Sequence, residues 1–298
     1  MDFELLEDFL AVLEHGSILA AAEATGSSQP TLSRKIRELE DSLGVLLLNR
    51  TSRGVSPTVF GSTFKQHAEK LLQDHQRTLD ELRALKSGSH GHARIGMAPA
   101  FSGYLPLVIN KLRASKPGAT FEVVEGTYDT LVQKTLKGEI DGAFSMLPPG
   151  ESVESLAVSK IAKEPVIIVA DAQHPLSKKK GIQLDDLEKE AWVLMNRPRS
   201  IMDGFYQIAS DRGLHAPHIS LETSSLDFLK SMIRDSSLLT LLPRGAVVAE
   251  LHGGRFSALD VQGLPKVEIA FIHQHGVVSP LTSQIVHEVE ATVKFMSA

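Results

Sequence analysis

The segment Ser28-Gln29-Pro30-Thr31-Leu32-Ser33-Arg34-Lys35-Ile36-Arg37-Glu38-Leu39-Glu40 constrains this chain more than any other. Leu32, Ile36, Leu39 and Leu43 recur at steps of four, three and four, the apolar stripe of a helix lying on a core. The opposite face carries Gln29, Thr31, Ser33, Arg34 and Arg37, side chains suited to bonding base edges or phosphates in a major groove. The pattern predicts a helix whose ligand is duplex DNA.

The flanking residues agree. Leu5, Leu6, Phe9, Leu10 and Leu13 predict a first amphipathic helix ending near His15-Gly16. Ser17 suits the cap of a second helix, thin because it is built from Ala20, Ala21, Ala22 and Ala24. Gly26 suits a left-handed helix end, Ser27 and Ser28 can cap the third helix, and Pro30 falls in its first turn. Two helices joined so tightly, the second polar outward, predict a helix-turn-helix. After the apolar run Gly44-Val45-Leu46-Leu47-Leu48, the polar stretch Asn49 to Thr58 predicts a β-hairpin wing, with Arg50 and Arg53 beside the phosphate backbone or minor groove.

Residues 1 to 60 resemble the N-terminal domain of the LysR-type transcriptional regulators. The matching pieces are Phe9-Leu10-Ala11-Val12, Gly16-Ser17, Ala21-Ala22, Ser28 to Ser33, Ile36, Leu39-Glu40, Leu43-Gly44, Leu47, Arg50 and Thr58-Val59-Phe60-Gly61. Ile18-Leu19 departs from the family, which often has an aromatic and a polar residue there. The length and later element order extend the likeness over all 298 residues, with specificity falling after about residue 90. The resemblance implies an α/β chain: a winged helix-turn-helix over residues 1–58, a linker and dimerisation helix over 59–88, and a two-lobed effector domain similar to periplasmic solute-binding proteins. Its first lobe would hold 89–163 and 265–298, and its second 164–264. The expected DNA-binding residues are Ser28, Gln29, Pro30, Thr31, Ser33, Arg34, Arg37, Arg50 and Arg53.

Charge argues mildly against DNA. Residues 1 to 60 hold five basic and nine acidic side chains, a net of −4, in a chain of net charge −5. The signs are segregated, however. All five basic residues fall in the proposed recognition helix and wing, and Asp2, Glu4, Glu7 and Asp8 fall in the first helix. The balance predicts modest nonspecific affinity and more dependence on shape and base contacts. The chain has no cysteine, so disulfides and thiolate chemistry are excluded. Met1-Asp2-Phe3-Glu4 lacks a signal peptide's basic start, and no apolar run approaches a membrane span, so a cytoplasmic protein without a membrane partner is expected.

Thr58 to Lys86 predicts one long, proline-free helix, with Thr58 as its cap. Phe64, Ala68, Leu71, His75, Thr78, Leu82 and Leu85 follow the spacing of a coiled-coil seam. A helix of about 28 residues is roughly 40 Å long, too long to bury its stripe within a 60-residue domain. A partner helix is therefore expected. By resemblance this gives a homodimer, or a tetramer built from two dimers, presenting two recognition helices to spaced half-sites. Ser87 to His92 predicts an interdomain hinge, with His90 and His92 read as solvated linker.

From residue 93 the order strand, helix, strand, helix, strand predicts parallel pairing. A second unit begins near Glu164, with strands at Pro165–Ala170 and Ala191–Met195, and a late strand at Lys266–Ile272. By resemblance a small-molecule effector lies between the lobes. Helix starts there would favour an anion. First-lobe contributors would be Pro99, Phe101 and Ser102 with Thr127 and Tyr128; second-lobe contributors would be Asn196, Arg199, Thr223 and Ser224. Each hydroxyl reads equally as a helix cap or a ligand contact. The stretch Ile233 to Leu238 lacks the glycine-rich turn usual in the family.

Chemistry is not expected. Walker, Rossmann and G-x-S-x-G patterns are missing, and His287-Glu288-Val289-Glu290-Ala291 stops short of a zinc-protease motif. His273 and His275, alternating on a predicted strand, read as structural rather than metal ligands. No catalytic residue, metal or cofactor beyond the effector is predicted. Two rival readings stay open: an enzyme or transport-type binding protein with an incidental helix-turn-helix, and an architectural DNA protein. The expected mechanism is a regulator whose effector modulates DNA binding or activation, with RNA polymerase sensing the altered DNA path.

Overall fold

Asp2 starts the first helix, α1 (Phe3–His15): its carboxylate accepts the Glu4 N–H at 3.1 Å, and Gly16 ends the helix at φ 65°. The computed structural model describes residues 2–51, 54–87, 91–150, 155–196, 199–211, 217–276 and 278–297, with the backbone alone at 77, 80, 81, 83–87, 199, 200, 209 and 297. Ser17 caps α2 (Ile18–Ala24) through the Ala20 N–H at 3.0 Å, and Gly26 adopts φ 67° in the turn. Ser28 caps α3 (Gln29–Leu43), Pro30 sits in its first turn, and Gly44 closes it at φ 70°. Strands β1 (Leu48–Thr51) and β2 (Gly54–Pro57) pair antiparallel as the wing. Phe9, Val12, Ala22, Leu32, Ile36 and Leu39 form the shared core.

Thr58 begins α4 (Val59–Ser87), its hydroxyl donating to the Leu46 carbonyl at 2.7 Å and accepting the Gly61 N–H at 3.0 Å. A Cβ at Gly61 would lie 2.0 Å from the Leu47 carbonyl oxygen, so glycine lets the helix start against the wing. The predicted seam divides between two environments. Phe64 meets Phe9 edge-on at 5.3 Å, Ala68 is fully buried, and the His75 ring stacks on Phe3 at 4.0 Å. These residues face their own domain. Leu71 and Leu82 stay exposed, as does Thr78. The Leu85 side chain lies outside the described residues.

Residues Met1–Ser87 and Gly88–Ala298 form two compact units. In the second, β3 (His92–Met97), α5 (Leu105–Ser115), β4 (Thr120–Glu125), α6 (Tyr128–Leu136) and β5 (Gly142–Met146) give the parallel order β4-β3-β5. Strand β6 (Leu156–Asp171) then runs for 16 residues, far longer than the predicted Pro165–Ala170. It leads to β7 (Ala191–Met195), α7 (Arg199–Asp211), β8 (His218–Thr223), α8 (Leu226–Ile233), β9 (Leu238–Pro243), α9 (Val248–His252) and β10 (Phe256–Ala258), the last two not anticipated from sequence. Strand β11 (Lys266–Gln274) and α10 (Pro280–Ser297) complete the unit.

Two lobes share β6. From Leu156 to Pro165 it pairs with β11, and from Val166 to Val169 with β9. The crossing is framed by proline: Pro165 pairs with Lys266, Val166 pairs with Pro243, and the Val166 N–H donates to the Pro265 carbonyl at 3.1 Å. Phe101, Tyr104, Phe144 and Phe271 anchor the first lobe's core, and Trp192, Phe205 and Leu239 the second's.

Two local departures have physical reasons. β11 ends at Gln274, so His275 is off the strand and the expected alternation with His273 is broken. Where the family's glycine is missing, Asp235 itself takes φ 54°, and its N–H donates to Asp171 Oδ2 at 3.0 Å. Aspartate tolerates that left-handed conformation better than most side chains. Among the described residues, no helix is long and apolar enough to cross a membrane, and no three His, Cys, Asp or Glu side chains cluster to hold a metal.

Candidate functional site

The outer surface of α3 follows from its caps. Ser28, Gln29 and Pro30 are exposed at its start, Thr31 and Ser33 are half-buried, and Arg34 and Arg37 project into solvent. Ser28 Oγ accepts the Thr31 N–H at 3.3 Å and lies 2.8 Å from Thr31 Oγ1, fixing the first turn. Arg34 keeps 72% of its side chain exposed, with only a loose 3.7 Å approach to Glu38. Its guanidinium is available to a base edge.

Two of the basic residues counted toward DNA are committed inside the domain. Lys35 ties α3 to α1 through Glu4 and through Asp8 at 2.9 Å, and those hydrogen bonds hold its ammonium well above the usual lysine range. Arg50 crosses from the wing, donating to Ser33 Oγ at 3.3 Å and to Glu40 Oε2 at 3.5 Å. Buried Glu40 also accepts the Leu47 and Leu48 N–H groups on Oε1, at 2.8 and 3.1 Å. A single carboxylate thus fixes the approach to the wing and aims Arg50 at the recognition helix. Sequence reasoning missed this. The signal was an acid at Glu40, one turn after Ile36 on the core stripe, where an unpaired charge would be costly. Arg53 lies outside the described residues.

In the second unit, a cleft of about 470 Å³, part of it open to solvent, lies between the lobes. Pro99, Ala100 and Met146 line it from the first lobe; Met195, Ile201, Met202 and Leu226 line it from the second, with the end of β9 and Ala246 beneath. Of the residues expected to meet an effector whose side chains are described, Pro99 alone is among these. Phe101 is fully buried in the first lobe's core. Ser102 Oγ donates to the Ala246 carbonyl at 3.4 Å, and Thr127 caps α6 through the Thr130 N–H at 3.4 Å. Tyr128 packs beside Val132, Leu156 and Ile272. The Asn196 N–H donates to the Thr223 carbonyl, Thr223 Oγ1 accepts the Ser225 N–H at 3.1 Å, and Ser224 is exposed. Arg199 starts α7; its side chain, like Arg197, is outside the described residues. The helix-cap alternative therefore holds for Thr127, while the apolar lining reads from sequence as ordinary core.

Beside the cleft the lobes are joined by a buried carboxylate. Tyr104 Oη donates to Glu164 Oε1 at 2.8 Å and the Gly245 N–H donates to the same oxygen at 2.7 Å. Burial pushes the Glu164 carboxyl above the usual carboxylate range, against the pull of those two hydrogen bonds and of the Arg244 charge.

Residues 3–62 match the family described as bacterial regulatory helix-turn-helix protein, lysR family, and residues 86–293 match the LysR substrate binding domain. The chain belongs to the LysR family. It is a DNA-binding transcriptional regulator with an effector-binding domain, in a family of regulators rather than enzymes. Similar LysR regulators include the hydrogen peroxide-inducible genes activator of Dickeya chrysanthemi, 31% identical over 288 residues, 94% of this chain and 91% of the relative. Another is the regulator PcaQ of Agrobacterium fabrum, 28% identical over 262 residues, 87% of this chain and 84% of the relative. Full-length CbnR, solved in complex with its target DNA, superposes with a TM-score of 0.65 at 26% identity, over 98% of this chain and 100% of that one. A single-site variant of full-length OxyR from Pseudomonas aeruginosa shares the fold, with a TM-score of 0.66 at 22% identity over 98% of this chain and 95% of that one. Without cysteine, this LysR chain cannot answer an oxidant by thiol chemistry.

Proposed function

We propose that this regulator acts as a cytoplasmic homodimer, or a pair of dimers, on spaced half-sites upstream of its target gene. Arg34 and the Gln29, Thr31 and Ser33 face read bases, while Ser28, Pro30 and Arg37 border the phosphates. Arg50 holds Ser33 in place and presents its remaining surface to the backbone, beside Arg53. Support comes chiefly from the exposed polar face of α3, set by the Ser28 cap over a core that buries Leu32, Ile36 and Leu39. That the related CbnR was solved on its target DNA favours the same ligand class. Exposed Leu71 and Leu82 favour pairing through α4.

A small molecule closing the interlobe cleft shifts the lobes and alters the spacing or tilt of the DNA-binding domains, which RNA polymerase senses. Such coupling is typically about 1–3 kcal/mol. The test is selection of bound sites from a randomised duplex pool, followed by footprinting with and without candidate effectors. A recurring two-half-site motif whose footprint changes with an effector is expected. Recovery of unrelated sequences would sink the reading.

A further inference from the structure

Among the described residues, the interlobe cleft has walls of one kind. None of its eleven described lining residues carries a charge or a hydroxyl. Three are methionines from three different elements: Met146 at the end of β5, Met195 at the end of β7 and Met202 in α7, each half-buried. Thioether side chains are unbranched and polarisable, and they adapt to an apolar guest without a fixed geometry. The remaining lining is aliphatic or proline.

Several polar groups of the surrounding elements are already engaged, although Thr240 Oγ1, next to the lining Leu241, has no described hydrogen-bond partner. Thr127 and Ser225 cap α6 and α8 through the Thr130 and Phe228 N–H groups, and Thr223 accepts the Ser225 N–H. Ser102 donates across the lobes to Ala246. Arg244 lies between the lining residues Pro243 and Ala246 in sequence, yet it is not itself among the described lining, and its charge acts on Glu164. A carboxylate resting on such walls would lose water and meet no charge or hydroxyl among the described lining, which is costly. An aliphatic chain would lose only unfavourable hydration.

Taking the cleft as the effector site, as proposed above, we infer that its effector is a neutral, predominantly aliphatic molecule rather than an organic anion. The test compares 1-octanol with octanoate, equal in chain length and different in charge, on the full-length protein. Trp192 is the only tryptophan, and its ring lies 5.3 Å from that of Phe205 in α7, the helix that carries Ile201 and Met202, so its emission reports on the cleft wall. Thermal melting provides the second readout.

Octanol is expected to shift the Trp192 emission and raise the melting temperature at concentrations at least tenfold below those octanoate needs. Met146→Gln and Met202→Gln, made separately so that poor folding of one leaves the other, should each weaken the octanol response severalfold. Octanoate binding as tightly as octanol, or more so, overturns the inference and leaves the cleft as an effector site; a contact from Arg199 would appear in this way. Silence toward both probes, and toward a broad set of neutral and anionic metabolites, overturns the cleft as effector site as well. An octanol response unchanged in both methionine variants places octanol elsewhere and also overturns the inference.

Discussion

Gly103 and Gly245 meet backbone to backbone across the two lobes, the Gly103 N–H donating to the Gly245 carbonyl at 3.1 Å. A Cβ on Gly245 would lie 2.3 Å from the Tyr104 ring and 2.4 Å from the Ala100 carbonyl oxygen. The Gly245 N–H points the other way, to Glu164. The lobes are therefore joined at a place with no spare volume, around a buried acid.

That acid makes stability depend on pH in a definite direction. The folded protein retains the Glu164 proton where the unfolded chain, near the ordinary glutamate value of about 4.3, has released it. The contribution is fully present below the unfolded value and is lost as pH rises through the raised folded value. Glu164→Gln keeps an acceptor for Tyr104 and Gly245 and removes the titration. Across that window the variant should gain stability relative to the parent as pH rises, then hold level. Urea unfolding at a series of pH values checks this; a constant difference would contradict it.

Glu40 is expected to be the most sensitive polar position of the winged domain. Glu40→Ala leaves the buried Leu47 and Leu48 N–H groups without their acceptor, a cost of about 1–3 kcal/mol each. Glu40→Gln should be milder, because an oxygen remains for them. Calorimetry of the full chain should show the transition of the N-terminal unit falling while that of the effector domain stays in place. Equal stability of parent and alanine variant would remove Glu40 from its anchoring role.

Arg34→Ala should weaken operator binding by about 1–3 kcal/mol and relax preference at one base position. Binding to random duplex should change much less, because the exposed guanidinium is assigned to a base edge. Competition anisotropy with single-base operator variants measures both quantities. Matching losses on operator and random duplex would reassign Arg34 to the phosphates.

Along α4, position decides the outcome. Leu71→Ser combined with Leu82→Ser removes exposed apolar surface and should yield monomers with an intact winged domain. Phe64→Ser, which strips the partner of Phe9, should destabilise that domain instead. Sedimentation velocity and thermal melting separate the two effects. A double variant of parental mass would exclude the leucines as a main contact.

The winged domain is legible in the sequence because its determinants are local. Ser17, Ser28, Gly16 and Gly44 each act within a turn of their own helix, and the Leu32, Ile36 and Leu39 stripe needs only the helical period. Strand β6 reads from sequence as a fraction of its length because its first half, from Leu156 through Lys163, is partly exposed and mixes serine and lysine with aliphatics. Nothing local shows that it continues into a second lobe. The lining of the cleft escapes for a related reason. Met146, Met195, Ile201 and Leu226 have the composition of core, and they become a cavity only when two lobes distant in sequence face each other. Lys35 and Arg50 count as DNA-facing charges in the sequence because Glu4, Asp8 and Glu40 reach them only through tertiary packing.

Proline at the lobe crossing limits how the effector domain can answer its ligand. Pro165 and Pro265 each lock one backbone torsion of the two segments that pass between lobes, and Pro243 is paired against the first of them at Val166. A joint with so few free rotations swings through a narrow arc. Signalling would then rest on a small choice of discrete postures, and lengthening the joint, rather than altering the ligand walls, would be the way to blunt the response.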